Sequence, residues 1–512
     1  FTVTMSEAVN VNTGSGTPRI AVNVDGQTRY ATYSAGTGTS SLTFSYAPTV
    51  GDLDLDGVAL TSPLDLNGGI ITDLNGNPET DLTFTIPNTS GIKVDYPSLS
   101  MDFIADTDGR YTLNGTAYDD LSSFLTAAGG SFTRSSTATY FDSTGDIQTV
   151  ATNVPRFDYD PISHAFKGIL LEETRTNELF YSYDPANWSL NGATVSSTGL
   201  TELGIFKSVR VISGGQTFHR INAIRTGGVY RPFTSNVAVT LYYRAGTSGR
   251  ARIILYDTII PQTSDLVGNV GNLSTVQTGA GTISNIVQTQ IPSINGTIYA
   301  VTFKFSPINN TDTIGIGIGP SSVTVGEDII FLGGQVEYGE FPTSFIPTTT
   351  AAATRQQDRL IMPVGGWFSA PSGTLYAQAE APFLGGPKWP GLASLDAGIA
   401  GESIALGIRD NSTDDPFSEI YNSNAQTFSA YKGIAYVPGT TVKSTIAYEQ
   451  NNTVACYDGL LSALNTSTAI PTVSTLRVGA YRGGGNVLNG WLEQVKYYPQ
   501  RSSDTQLQLL TQ

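Results

Sequence analysis

The sequence predicts an all-β chain organised as tandem β-sandwiches. Three observations carry that expectation. Strand-length runs rich in Val, Ile, Tyr, Phe and Thr alternate apolar with polar residues, as half-buried strands do. Gly, Asn, Asp and Pro punctuate the runs at turn positions. The 512 residues include 55 Gly, yet 39% are hydrophobic and 10% aromatic, enough for packed cores and too many for a disordered chain. A chain of this length predicts three or four units.

The net charge of −16 sets a first limit on function. So acidic a chain is repelled by nucleic acid and by anionic membrane surfaces, so neither is expected as a partner. No apolar run is long enough for a transmembrane helix, so no membrane insertion is expected. No signal peptide is visible. Phe1 opens inside a strand pattern, FTVTMSEAVNV, so the natural start of the first unit is expected upstream. The one cysteine, Cys456, sits in the strand-like TVACYDG and reads as a small buried apolar residue.

Residues 1–96 alternate through FTVTMSEAVNV, RIAVNVDG, QTRYATYSAG, SSLTFSYAP and DLTFTIP, with turns at TGSGTP, SAGTGT and DLNGNP. Together with GDLDLDG and LNGGIITDLNGN, these runs resemble immunoglobulin-like, cadherin-like modules, which serve as spacers and display units. Asp52, Asp54 and Asp56 alternate before Gly57, a spacing that lets one loop turn several oxygens toward calcium. The twelfth position of an EF-hand counted from Asp52 is Pro63, so no EF-hand is present. A plain acidic turn is the competing reading.

Residues 97–187 read as transitional and wrapping, with one short helix near residues 119–128. FTRSSTATYFDSTGDIQTVATNVPRFDYDP, followed by GILLEETRTNELFYSYDPANW, resembles the opening motif of head and tail fibre proteins of tailed bacteriophages. Arg134, Arg156 and Arg175 lie among Asp158, Asp160, Glu172 and Glu173, and are read as ion pairs holding an extended segment. Neighbouring Glu172 and Glu173 would point to opposite faces of a strand, so they could not flank a glycosidic bond.

Residues 188–350 predict a second sandwich. It resembles the jelly-roll carbohydrate-binding modules that follow the opening motif in such fibres, and DIIFLGGQVEYGEFPTSFIPT resembles their closing phrase. Sugar-binding sandwiches use exposed rings, because a ring face covers the apolar face of a sugar. Trp188, Tyr230, Tyr242 and Tyr243 are the aromatic residues to weigh here. Of the adjacent pair one must face inward and one outward; Trp188 and Tyr243 are the glycan candidates. His164 and His219 have no ligand-spaced partner for zinc.

Residues 351–365 read as a linker. Residues 366–512 restart the alternation in GTLYAQAEAPF, ESIALGIRD, FSEIYNS, VKSTIAYEQNNTVACYDG and LRVGAYRGGG. With the closing LNGWLEQVKYYPQRSSDTQLQLL, this unit resembles concanavalin A-like and laminin-G-like lectin domains. Ser502, Ser503 and Asp504 are placed to cap a final helix. The candidate binding loops are residues 385–390, 410–415 and 481–486. Trp389, Tyr421, Tyr481 and Arg482 are glycan candidates, and Asp410, Asp414 and Asp415 are calcium candidates. Trp491, which starts an alternating strand, reads as core.

The resemblance implies a virion fibre or adhesin protein of a tailed phage, displaying modules that bind host cell-surface glycans outside the cell. It also implies contact with other virion proteins and homo-oligomers, trimers above all. A purely structural or decoration fibre and a bacterial surface adhesin are the alternatives. No enzyme is expected: there are two His in the chain, and Glu380 and Glu493 lie outside a recognisable glucanase pattern.

Overall fold

The computed structural model describes residues 1–105, 107–216, 220–223, 235–257, 262–309, 314–384, 389–399, 401–409 and 414–512. The described chain is all-β, with two short α-helices, Leu121–Ala128 and Asp504–Leu510. Asp120 caps the first helix by accepting from the Ser123 amide at 2.8 Å, and Ser503 caps the second.

In the first unit six strands pair in the order Ala59–Asp65, Arg19–Val24, Gln27–Ala35, Thr39–Ser45, Thr2–Asn12, Ile70–Asp73. Strand Thr2–Asn12 pairs with Thr39–Ser45 through its first half and with Ile70–Asp73 through its last residues, the register shifting between Thr4 and Val9. Ile20, Val22, Leu42, Phe44 and Leu60 fill its core.

The middle sandwich packs two antiparallel sheets face to face. One holds Ala193–Glu202, Phe206–Ser213, Asp328–Tyr338, Val237–Ala245, Ile298–Pro307 and Gly281–Ile291. The other holds Ser189–Asn191, Arg220–Ala223, Ile314–Pro320, Arg250–Asp257, Thr263–Asn269 and Asn272–Thr278. Period-two alternation sends Val239, Leu241 and Phe331 into the space between the sheets, against Ile253, Leu266 and Ile316. The central strand Asp328–Tyr338 is buried on both faces: Ile329 and Phe331 point inward, while Ile330 and Leu332 point outward into a second cluster with Ile147, Phe206, Tyr242 and Phe345.

The last sandwich is assembled from segments far apart in sequence. Its seven-stranded sheet begins with Ser131–Thr133, paired with Arg359–Pro363. Its other sheet takes Leu99–Asp102 and Phe166–Leu171 along one edge of Gly490–Tyr498. Ser98 donates its hydroxyl to the carbonyl of Tyr497, and Phe124 and Met101 share a core with Leu476 and Val495. Residues 97–171 therefore complete the last sandwich, and only the hairpin Ala138–Phe141 with Ile147–Val150 lies over the middle one. The expected linker, 351–365, differs too: Ala353–Arg355 pairs with Arg175–Asn177 beside the middle sheet, and Arg359–Pro363 belongs to the last. The reason lies in the alternation of LSMD and FKGILL, which supplies apolar faces too short to form a sheet alone but suited to an edge.

The middle sandwich is thus inserted into the last, and its two connections run side by side, the Asp358 amide donating to the Glu172 carbonyl at 3.0 Å. A buried ionic cluster occupies this double crossing. Arg156 pairs with Glu172 at 2.7 Å and with Asp358; Arg134 pairs with Asp358 at 2.9 Å and Arg355 with Glu172 at 2.8 Å. Other donors reach carbonyls and hydroxyls: Arg134 gives hydrogen bonds to the Ser136, Ala151 and Val154 carbonyls, Arg355 to the Glu173 carbonyl and the Ser344 hydroxyl, while Nε of Arg156 and of Arg355 are buried without a hydrogen-bond partner. Burial alone would raise the Glu172 carboxyl, but Arg355, Arg156 and the Ser344 donors bring it down to about 2.

Backbone space at the crossing comes from glycine. Gly333 has φ 149°, and a Cβ there would meet the Ser182 carbonyl oxygen at 2.1 Å, so only glycine lets residue 182 cross the sheet. At Gly339 a Cβ would collide with the Arg175 guanidinium. Replacing Glu172 with Gln leaves Arg156 and Arg355 without their shared carboxylate. The expected loss is about 3–5 kcal/mol, read as a lower urea midpoint at pH 7, with the middle sandwich unfolding separately from the last.

Candidate functional site

Three loops meet at one end of the seven-stranded sheet of the last sandwich. The Pro390 carbonyl accepts from the Ile408 amide at 2.9 Å, and the Gly391 amide donates to the Asn486 carbonyl at 3.0 Å. Strands Ser403–Ile408 and Pro416–Asn422 direct Ile404, Leu406 and Ile420 into the core, so Ala405, Phe417, Glu419 and Tyr421 face outward. On this outer face Trp389 packs against Phe417 (ring centroids 5.3 Å apart) and Tyr481 (6.0 Å).

Two arginine–tyrosine stacks flank those rings. Arg482 lies 3.8 Å from the Tyr421 ring centroid, and Arg409 lies 4.1 Å from that of Tyr431. Glu419 sits beneath, accepting from the Tyr481 hydroxyl and pairing with Arg482 at 3.3 Å; burial raises its carboxyl. Trp389, Tyr421, Tyr481 and Arg482, four residues proposed from three separate stretches, thus come together on one surface. Tyr481 is the buried member, while Trp389, Tyr421 and Arg482 are partly exposed. Sequence reasoning missed Phe417, Tyr431 and Arg409, whose outward alternation opposite Ile420 was the available signal.

The other glycan candidates go elsewhere. Trp188 is buried against Phe331, its indole N–H donating to the Phe180 and Tyr181 carbonyls at 3.0 and 3.2 Å. Tyr243 is fully buried between the middle sheets beside Tyr299. Both are core residues, because the apolar bodies that qualify a ring for sugar stacking qualify it equally for packing. Tyr242 points to the opposite face from Tyr243, as alternation requires. Tyr230 and His219 lie outside the described residues, and His164 is exposed in a left-handed turn.

The first calcium reading is corrected. Asp52 is buried and pairs with Arg29 at 2.7 Å, while its other oxygen accepts from Tyr46 and from the Thr49 amide. Asp54 accepts from the Asp25 and Gly57 amides, and Asp56 accepts from Gln506 at 2.6 Å. The three carboxylates are committed to different partners, so they do not converge on a cation. Their run is instead a joint between the first unit and the last: Leu53 packs with Tyr376, Tyr498 and Leu510, and the Leu55 amide donates to Gln506. Asp415 is likewise corrected: it pairs with Arg409 at 2.6 Å and accepts from the Gly433 amide. Asp414 stands beside it in a left-handed conformation with its carbonyl accepting from the Tyr436 amide, and Asp410 lies outside the described residues. Among the described residues no three metal-ligating side chains cluster.

Trp491, read as core, is only partly buried; its indole N–H donates to Asp158 at 2.8 Å, and Asp158 in turn accepts from the Phe141 amide of the wrapping hairpin. Lys167 approaches the same ring to 4.9 Å and pairs with Glu380. Glu380 is raised by burial against the pull of Lys167, with Glu493 adding repulsion; Glu493 itself accepts from Gln378 and Thr441.

No family model and no curated protein matches the chain. Among solved structures, it is similar to the carbohydrate-binding module of the Ruminococcus gnavus IT-sialidase bound to α2,3-sialyllactose, at 16% identity and TM-score 0.25, over 28% of this chain and 84% of that one. Mouse laminin α1 domains LG4-5 match at 12% identity and TM-score 0.20, over 67% and 91%. Trypanosoma rangeli sialidase in complex with sialic acid matches at 10% identity and TM-score 0.24, over 99% and 93%. These neighbours are β-sandwich proteins, a carbohydrate-binding module among them. The chain-length matches to sialidases overturn the expectation that the chain is not an enzyme, and that exclusion is withdrawn; at such identity and TM-score they assign it no activity.

Two measurements check this account. With Asp52 held by Arg29 and Asp415 by Arg409, the melting midpoint is expected to be the same in calcium and in chelator, and a chelator-dependent fall would place a cation among these residues. Burial raises the Asp158 carboxyl to about 6, against the opposing donors Trp491 and Phe141. The folded chain therefore takes up this proton near pH 6, whereas an unfolded aspartate does so near about 3.9. Asp158 thus adds stability as pH falls through 6 toward 4. The urea midpoint of an Asp158→Asn chain is expected to gain less between pH 7 and 5 than that of the parent.

Proposed function

We propose that the chain is a virion fibre or adhesin protein of a tailed phage, and that its last sandwich binds a host cell-surface glycan through the face built by Trp389, Tyr421, Tyr481 and Arg482. The observation that carries the glycan reading is the convergence of these residues with Phe417, Tyr431 and Arg409 on one outer sheet face. Ring faces offer a stacking surface for the apolar face of a sugar, and guanidinium groups donate hydrogen bonds in a fixed fork to its hydroxyls.

The fibre reading rests on the opening and closing phrases, residues 131–187 and 333–348. Those phrases meet at the crossing between the two larger sandwiches: Asn177 donates to the Ile346 carbonyl at 2.8 Å and accepts from the Val336 amide, and the Thr348 amide donates to Ser182. A chain locked together without disulfides suits a display role on a particle surface, among other virion proteins and further copies of itself. The second reading, a structural or decoration fibre without its own ligand, is favoured by the burial of Trp188 and Tyr243.

The test is retention of the full chain on an array of bacterial surface polysaccharides. The paired substitution Trp389→Ala and Arg482→Ala is expected to weaken retention at least about tenfold, as loss of aromatic and arginine anchors does, with an unchanged melting midpoint. Retention of no glycan by the parent chain, with the chain still found in purified virions, would leave the structural reading standing.

A further inference from the structure

A cavity of about 270 Å³ lies where the wrapping hairpin, the middle sandwich and the last sandwich meet. Each body contributes one wall. The outer face of the middle sheet supplies Thr240, Tyr242, Thr289 and Thr302, the hairpin supplies Tyr140, and the last sandwich supplies Tyr159 and Trp491. The cavity exists because the hairpin Ala138–Phe141 with Ile147–Val150 covers only part of the outward face that alternation gives to Val237–Ala245 and Ile298–Pro307.

Its chemistry is mixed in a specific way. Rings stand against a row of threonine hydroxyls, and Asp158 sits at the wall with 4% of its surface exposed. The Asp158 oxygens accept one N–H each, from Trp491 at 2.8 Å and from Phe141 at 2.6 Å, and a carboxylate oxygen has capacity for a second donor. The bond to Asp158 also fixes the plane of the Trp491 ring. Asp160 and Glu172 complete the lining's charged groups, and among the described lining residues there is no Lys, Arg or His.

We infer that this junction cavity binds one neutral pyranose ring, stacked on the Trp491 and Tyr159 side and hydrogen-bonded through adjacent hydroxyls to Asp158 and the threonines. Three arguments select that ligand. The volume is below the roughly 300–1,000 Å³ of pockets for drug-sized ligands, so it takes a single ring, not a chain of them. Rings beside hydroxyls and a carboxylate match the apolar face and polar rim of a sugar. Asp158 at the wall repels an anionic sugar such as a sialic acid, whose carboxylate would be buried against like charge. The inference rests on the glycan-binding reading but places a second, separate site away from the Trp389 face.

The experiment is saturation-transfer NMR and calorimetry on the full chain with methyl glycosides of glucose, galactose, mannose, N-acetylglucosamine and N-acetylneuraminic acid. At least one neutral glycoside is expected to bind and the sialoside not. Thr289→Trp, which fills the cavity from an edge strand, and Tyr159→Ala, which removes a ring, are each expected to weaken that binding at least tenfold. Thr289→Trp should leave retention on the polysaccharide array unchanged. Neutral binding undiminished in both variants, or a sialoside whose binding Thr289→Trp abolishes, overturns the assignment. Retention on the array without binding of any methyl glycoside overturns it while leaving the adhesin reading in place; loss of both removes both.

Discussion

The architecture depends on the buried pairing of Arg134, Arg156 and Arg355 with Glu172 and Asp358. Three cations and two anions are taken out of water there, a cost that only short, multiply hydrogen-bonded contacts offset. The five groups come from four segments: Arg134 from the entry to the hairpin, Arg156 from its exit, Glu172 from the chain entering the middle sandwich, and Arg355 and Asp358 from the chain leaving it. One cluster therefore sets the positions of all of them together. Apolar packing could hold the same segments, but it would not fix their register; guanidinium forks meeting carboxylates do so through direction. Buried charge at this place is best understood as a specification of which strand goes where.

That view also explains the composition of the two phrases that stood out in the sequence. Arg134, Arg156, Arg175, Asn177, Ser182, Gln335 and Thr348 are buried, which is unusual for such side chains. Asn177, Gln335 and Glu337 each satisfy backbone groups that an irregular crossing would leave unpaired: Gln335 accepts from the Ile346 amide and donates to the Thr343 carbonyl, and the Thr343 amide donates to Glu337. Gly333 and Gly339 supply the space this requires. The phrases are polar because they cross between sheets, and buried because both sandwiches close over them.

Much of the fold was legible in the chain. Alternation located most of the strands, although the alternating DLTFTIP of residues 81–87 forms none, and Ser503 marked the start of the final helix. The pairing of distant edges was not legible, because LSMD and FKGILL show which face is apolar but not which sheet receives it. Of the glycan residues, those on loops, Trp389, Tyr481 and Arg482, and Tyr421 near a strand end reached one surface, whereas Trp188 and Tyr243 were lost to the core. The difference is one of position: Tyr243 sits mid-strand in a sheet covered on both faces, where any ring is buried. The alternating aspartates misled for a related reason. A carboxylate spacing suited to a cation suits a joint equally well, and what decides is whether Arg29, Tyr46 and Gln506 stand nearby, which residue order does not reveal.

The insertion of one sandwich into another also orders events in a growing polypeptide. Ser98 is separated from Tyr497, to which it hydrogen-bonds, by 399 positions. Leu99–Asp102 and Phe166–Leu171 leave the ribosome with one edge paired to a neighbour and the other open until Gly490–Tyr498 is made, and Ser131–Thr133 waits for Arg359–Pro363. The middle sandwich, complete by Arg355, can fold during that delay. Once folded it brings residues 172 and 358 together, so the open ring left to close is that of a much shorter chain, and the entropy of closing it falls accordingly. The inserted module is in this sense a scaffold for the unit that surrounds it.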